Sequence, residues 1–396
     1  MIARIVFILA CAGLLWSQSA DVDQAWKLAA KGQSDKAIHV LDDFIKQNPK
    51  NADARLLLGS LLAEKGERAE SIAQLNEAVQ LRPRSAEAQN ALGEAYNRFG
   101  DAKSARVPFE RAVALKPGFG AAQVNLGLIL LQANELPAAA EHLDRAIQIF
   151  GHSAEAAYPH YLRAKVYTAQ NNSPKALSQL EQAVSLRPDF AEAWSDLGLA
   201  RKSALDEPGA IAAYKRAVEL NPADAVAQYR LGAEYLRAGQ APNAVKHLER
   251  AYHLNPEDQS TLNSLQMALR QDGKAEEANR IRQKLAELLQ KKDQISQNAL
   301  SAVRINNEGA ALEKAGDLRG ATEKYRKALD LNPEHVGIRV NYAVALLRLG
   351  QWTEGLTQLH EALRRDPGNA QIQAALKDAE AQAPPGSVPK WDDARQ

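Results

Sequence analysis

The sequence predicts an all-α fold, a solenoid of stacked helix-turn-helix units, on three observations. Proline recurs at Pro49, Pro83 and Pro117, again at Pro188, Pro222 and Pro256, and at Pro333 and Pro367, with a step of 34 residues inside each run. Between prolines, apolar residues fall at helical spacing in two blocks, which gives two amphipathic helices, A and B. Glycine or asparagine separates the blocks in nearly every interval. A chain with so short a period buries its core between neighbouring units and not around one centre.

Ten units account for most of the chain, beginning at residues 18, 52, 86, 120, 157, 191, 225, 259, 302 and 336. Counting from the first residue of each, position 15 is Gly32, Gly66, Gly100, Asn134, Asn171, Leu205, Gly239, Gly273, Gly316 and Gly350. Glycine and asparagine end helix A with least strain in the left-handed conformation. Leu205 departs from this, and with Asp206, Glu207 and Pro208 it predicts a differently built turn whose helix B begins at Pro208. Position 20 carries Ala, Ser or Gly in every unit, from Ala37 to Gly355, as close helix crossing requires. Position 32 ends helix B, because proline cannot continue it.

Two irregularities break the period. Residues 154–156 add three positions after Gly151 and lengthen one inter-unit turn. Ala275 to about Ser301 is charged, has no Gly or Pro, and predicts a helix B extended towards the next unit, with a bend or change of pitch there. The organisation predicted is residues 1–20 a targeting segment, 21–290 the main array, 291–301 a helical insert, 302–369 a C-terminal pair, 370–382 a capping helix and 383–396 a disordered tail.

Met1 to Arg4 form a short basic start and Ile5 to Trp16 an apolar run, shorter than the roughly 20 residues that span a bilayer. This predicts a cleaved signal peptide, or else a short membrane anchor at residues 5–16, and hence an exported protein of the bacterial periplasm or extracellular space. Cys11 is the sole cysteine; once this segment is removed, disulfides, cysteine-ligated zinc and cysteine nucleophiles drop out together. Charged residues are 24% with a formal net charge of +1, so no overall field recruits nucleic acid or an anionic membrane.

The unit at Ala86 carries Leu92, Gly93, Tyr96, Ala105, Phe109, Ala112 and Pro117 at positions 7, 8, 11, 20, 24, 27 and 32, and the unit at Ala191 adds Trp194 before Leu197 and Gly198. This resembles the tetratricopeptide repeat, Trp-x2-Leu-Gly-x2-Tyr followed by Ala-x3-Phe, Ala and Pro. The resemblance implies a right-handed superhelical α-solenoid in which helix A lines an inner groove and positions 2, 5, 6, 9, 12 and 13 meet a ligand. Those positions supply apolar and aromatic candidates at Val124, Leu128, Leu131, Tyr158, Tyr161, Leu199, Val226, Tyr229, Leu236 and Met267. Cations interleave at Lys165, Lys202, Arg230, Arg237 and Arg270, and asparagines at Asn90 and Asn125 present carboxamides that both donate and accept. Tyrosine and arginine beside aliphatic residues are what binding hot spots favour.

No P-loop, Gly-x-Ser-x-Gly or His-Glu-x-x-His occurs, and the acidic residues fall mostly on outward helix positions, so no catalytic, cofactor or metal site is expected. His142 and His247 share position 23, which repeat geometry explains, and His152 with His160 is a weak metal pair. The function expected is a non-catalytic scaffold that holds a peptide segment or a partner helix in the groove, with the cations selecting an acidic or carboxylate-bearing ligand. The alternative is an assembly factor of a cell-envelope or secretion complex, acting through its convex face or the helix at 275–301.

Overall fold

The computed structural model describes residues 19–389. The signal or anchor segment, apart from its last two residues, Cys11, and residues 390–396 of the tail lie outside the described residues. Among the described residues there are twenty α-helices and no strand, and no helix is long and apolar enough to cross a membrane. In chain order the helices A and B of the first seven units, followed by helix A of the eighth, run α1 Ala20–Ala30, α2 Ser34–Gln47, α3 Ala52–Lys65, α4 Arg68–Leu81, α5 Ala86–Arg98, α6 Ala102–Leu115, α7 Gly120–Gln132 and α8 Leu136–Phe150. They continue as α9 Ala157–Ala169, α10 Ser173–Leu186, α11 Ala191–Ser203, α12 Glu207–Leu220, α13 Ala225–Arg237, α14 Ala241–Leu254 and α15 Gln259–Gln271.

Within a unit the two helices are locked by a small residue facing a large one. A Cβ built on Gly59, Gly93, Gly127, Gly198, Gly232 or Gly309 at position 8 would lie 2.6 to 2.8 Å from the side chain at position 24, which is Leu75, Phe109, Leu143, Tyr214, Leu248 or Tyr325. Position 20 is fully enclosed in the same crossing, as at Ala105, Ala139 and Ala244. Core packing is dense enough that one added methyl is felt, which is why a small residue holds position 8 in every unit except the one at 259, where it is Gln266.

The turn between A and B is uniform. Position 15 has a positive φ in all ten units, Leu205 included at +61°. In nine of the ten units the next residue closes the helix end with the same backbone bond, as Asp101 N to Tyr96 O at 2.9 Å and Asp206 N to Arg201 O at 2.9 Å. The sequence expectation of a differently built turn at Leu205 is therefore corrected. The Asp206 side chain caps Gly209 N, Pro208 sits in the first turn of α12, and the packing of the two helices holds a leucine in a backbone conformation it disfavours.

Between units the proline carbonyl is tied down. The side chain at position 4 of the following helix A donates to it, as Arg55 Nε to Pro49 O (2.8 Å), Gln123 Nε2 to Pro117 O (2.8 Å), Trp194 Nε1 to Pro188 O (2.9 Å) and Gln228 Nε2 to Pro222 O (3.0 Å). The three extra residues form a 3-10 turn, Ala154–Ala156, after Gly151 at φ +59°.

The chain separates into two compact bodies divided between Gly273 and Lys274. The second opens on α16, Ala275–Lys314, a single helix of 40 residues. Helix B of one unit, the insert and helix A of the unit at 302 are thus one element, because no Gly or Pro stands between Ala275 and Glu308 to break it. There follow α17 Leu318–Leu331, α18 Val336–Arg348, α19 Trp352–Arg365 and α20 Ala370–Gln382. Leu376 and Ala379 of α20 pack with Leu356 and Leu359 of α19, and beyond α20 the Thr353 hydroxyl donates to Ser387 O at 3.1 Å.

Candidate functional site

In the first body the helices A lie closer together than the helices B. α1 packs on α3, α3 on α5, α7 on α9 and α13 on α15, whereas successive helices B make no such broad contact. The row of helices A is therefore the short side of the stack and its inner face. On this face position 5 of one unit meets position 6 of the next, 35 residues on. Asn125 Nδ2 donates to Asn90 Oδ1 at 3.0 Å, and Arg230 Nη1 donates to Ser195 Oγ at 2.9 Å through the same contact.

That contact decides which candidates stay open. Asn90 and Val124, both at position 5, are enclosed between neighbouring helices and belong to unit-to-unit packing; the expectation that they line an open groove is corrected for these two. Leu128, Leu131, Tyr158 and Tyr161 are half-buried against the same core. Tyr161 keeps part of its ring outside, 4.9 Å from the Phe190 ring and 6.2 Å from that of Tyr158, centroid to centroid. Tyr229 and Leu236 are also half-buried, while Leu199 (42% exposed), Met267 (51%) and Val226 (55%) face solvent.

The cations do not stand alone. Asp196 takes Lys165 Nζ at 2.8 Å and Arg230 Nη1 at 3.4 Å. Glu234, 1% exposed, takes Lys202 Nζ at 2.8 Å and Arg237 as a second partner. Lys165 also lies 5.1 Å over the Tyr161 ring. Burial works against the Lys165 charge, yet the Asp196 hydrogen bond and charge outweigh it and hold this ammonium above its ordinary range. Two carboxylates thus anchor four cations, whose outer halves remain exposed, and Arg270 on α15 is exposed as well.

The other end of the face is built from carboxylates. Glu94 accepts from Asn90 Nδ2 at 3.0 Å and from Asn125 Nδ2 at 2.9 Å. Burial pushes its carboxyl above the usual range; the Asn125 and Asn90 hydrogen bonds and Arg98 oppose this, and the charge of Glu64 adds to it. Glu64 is raised by burial too, with Arg98 in opposition. The amides of Asn90 and Asn125 are therefore spent on Glu94 and on each other.

Reading the sequence for cations and aromatics passed over Glu64, Glu94, Ser195, Asp196 and Glu234. The first four occupy positions 13, 9, 5 and 6, so tabulating carboxylates and hydroxyls at the same positions would have found them. Glu234 is at position 10 and only the packing reveals it. The histidines have structural partners: His142 with Gln123 (2.7 Å), His160 with Gln179 (2.7 Å) and His247 with Gln228 (2.9 Å). Among the described residues no three His, Cys, Asp or Glu side chains are grouped to hold a metal ion.

Comparison with known proteins agrees with this geometry. Family models described as tetratricopeptide repeat match residues 22–85, 61–118, 108–154 and 206–259, and residues 312–379, and one described as TPR repeat matches residues 164–203. No curated protein sequence matches the chain. Among solved structures, pilF of Pseudomonas aeruginosa is 16% identical, covering 54% of this chain and 95% of its own, with a TM-score of 0.50. A tetratricopeptide repeat protein from Parabacteroides merdae is 14% identical, covering 63% of this chain and 97% of its own, with a TM-score of 0.48. At such identities the likeness to pilF is one of fold.

Proposed function

Because the chain belongs to the tetratricopeptide repeat family, whose arrays are protein-interaction scaffolds, we propose that it is a non-catalytic scaffold holding a peptide segment or partner helix on the inner face of its first body. The observation that carries this reading is the run from α9 to α15. There half-buried tyrosines, exposed Leu199, Val226 and Met267, and five cations share one continuous face. Apolar area with adjacent hydrogen-bonding charge is the composition that contributes most to binding. The cations favour an acidic or carboxylate-bearing ligand, since their two anchoring carboxylates neutralise only part of their charge. Export from the cytoplasm belongs to the same proposal, on the basic and apolar character of residues 1–20.

The test is affinity capture from the native host with wild-type protein and the triple variant Tyr161→Ala, Tyr229→Ala, Arg237→Ala. Loss of the main captured partners is expected; their full retention overturns the inner-face reading. A second reading has its own support. Leu289, Ile295, Leu300 and Val303 of α16 are 44 to 74% exposed, which favours assembly through that helix. In that case Leu300→Glu abolishes capture while the triple variant retains it.

A further inference from the structure

The inner face of the first body changes sign along its length. On α1, α3 and α5 its charged residues are Asp23, Glu64 and Glu94 against Arg98, once Asp53 and Glu87 are set aside as paired with Arg82 and Lys116. On α7 positions 2, 5, 6, 9, 12 and 13 are Ala121, Val124, Asn125, Leu128, Leu131 and Gln132, and none is charged. From α9 to α15 the cations are Lys165, Lys202, Arg230, Arg237 and Arg270, outnumbering Glu192, Asp196 and Glu234. The surface is therefore acidic, then neutral and apolar, then basic.

Resting on the inner-face reading above, we propose that the occupant is a polypeptide segment with its charges in blocks. A basic residue lies over α3 and α5, an apolar stretch over α7 and α9, and acidic residues over α11 and α13. The matching order places unlike charges together at both ends and sets hydrocarbon on the aromatic middle. A uniformly acidic segment would meet Glu64 and Glu94 at one end, and like charges brought together oppose binding. Nucleic acid is disfavoured for the same reason. From α5 to α13 there are four helix-to-helix steps of about 8 to 10 Å, or roughly 30 to 40 Å. An extended chain covers that in about 10 to 12 residues.

The experiment is fluorescence anisotropy of the intact chain with labelled synthetic 16-residue peptides of one composition. The first has lysines at one end, Leu, Val and Tyr in the middle and glutamates at the other; the second is its reversed sequence; the third has the same charges interspersed. One of the two blocked peptides should bind at least tenfold tighter than the interspersed one, with the gap narrowing as salt rises. Arg237→Gln with Arg270→Gln, compared with wild type at a temperature where the helical signal shows both folded, should weaken the blocked peptide severalfold and the interspersed one by less. Glu64→Gln with Glu94→Gln should erase the contribution of the lysine end. If blocked and interspersed peptides bind within threefold of each other and Tyr161→Ala with Tyr229→Ala weakens both, charge order is wrong while the inner face stands. If binding is undetectable, or indifferent to those tyrosines, the inner-face reading falls with it.

Discussion

At the acidic end of the inner face, position 5 meets position 6 as Asn90 against Asn125; at the basic end the same two positions are Ser195 and Arg230. The first pair turns inward and solvates Glu94, leaving a carboxylate whose charge is disfavoured. The second pair fixes the base of a guanidinium that continues to Asp196, and Asp196 also takes Lys165. Identical backbone geometry therefore yields opposite electrostatics. The repeat decides which side chains meet, and residue type alone decides what the meeting does. The second body reuses the contact too, with Asn341 donating to Asn306 at 3.0 Å.

Both ends stand on the same frame, so the largest effect should come from breaking it. Phe109, fully buried over Gly93, backs the acidic end as Tyr214 over Gly198 backs the basic end. Phe109→Ala is expected to cost about 3–5 kcal/mol, read as a lowered denaturant midpoint. A loss below about 1 kcal/mol would show that the array tolerates the cavity and that the frame is not what sets the contact.

A smaller, pH-dependent effect separates the ends. Glu94 is held above its ordinary value of 4.5, so the native chain binds that proton more readily than the unfolded chain does. Its penalty is fully present above the raised value and fades as pH falls towards 4.5. Glu94→Gln should accordingly raise the urea midpoint at pH 8, with the advantage closing towards pH 4.5. A variant less stable than wild type at pH 8 would mean that the carboxylate is favoured where it sits.

The smallest effect is a gain. Leu205, 90% exposed at φ +61°, joins α11 to α12 at the basic end, where the acidic end uses Gly66 and Gly100. Leu205→Gly removes the left-handed strain at the cost of some chain entropy, for a net stabilisation of about 0.5–1 kcal/mol by thermal or urea melts. No change, or a loss, would mean that the leucine makes a compensating contact.

Legibility in the sequence followed the strength of the steric demand. Position 8 glycines, position 20 small residues and position 32 prolines answer close contacts that admit few residue types, and they were readable from spacing. The continuity of α16 was less so, because the boundary at residue 302 was drawn from the period, whereas a helix ends only where a breaker stands and none does. The turn at Leu205 was misread by residue preference, since about 1–2 kcal/mol of local strain is easily outweighed by packing two helices. On the inner face, exposure was not legible. Val124 and Asn90 occupy groove positions yet are closed in by the neighbouring unit, and a single-unit pattern does not say how near that neighbour comes.

The sequence by itself determined the repeat, the helix pair within it and the family, because a 34-residue period with small residues at fixed places has few other physical solutions. Only the tertiary structure decided what the inner face offers. Whether a carboxylate stays in water, accepts two amides as Glu94 does, or anchors two cations as Glu234 does depends on a neighbour on its own helix and on a side chain of an adjacent unit, Asn125 or Lys202, that stacking brings within 3 Å. Charge in such a place is set by desolvation and by partners, and neither is visible until the units are stacked.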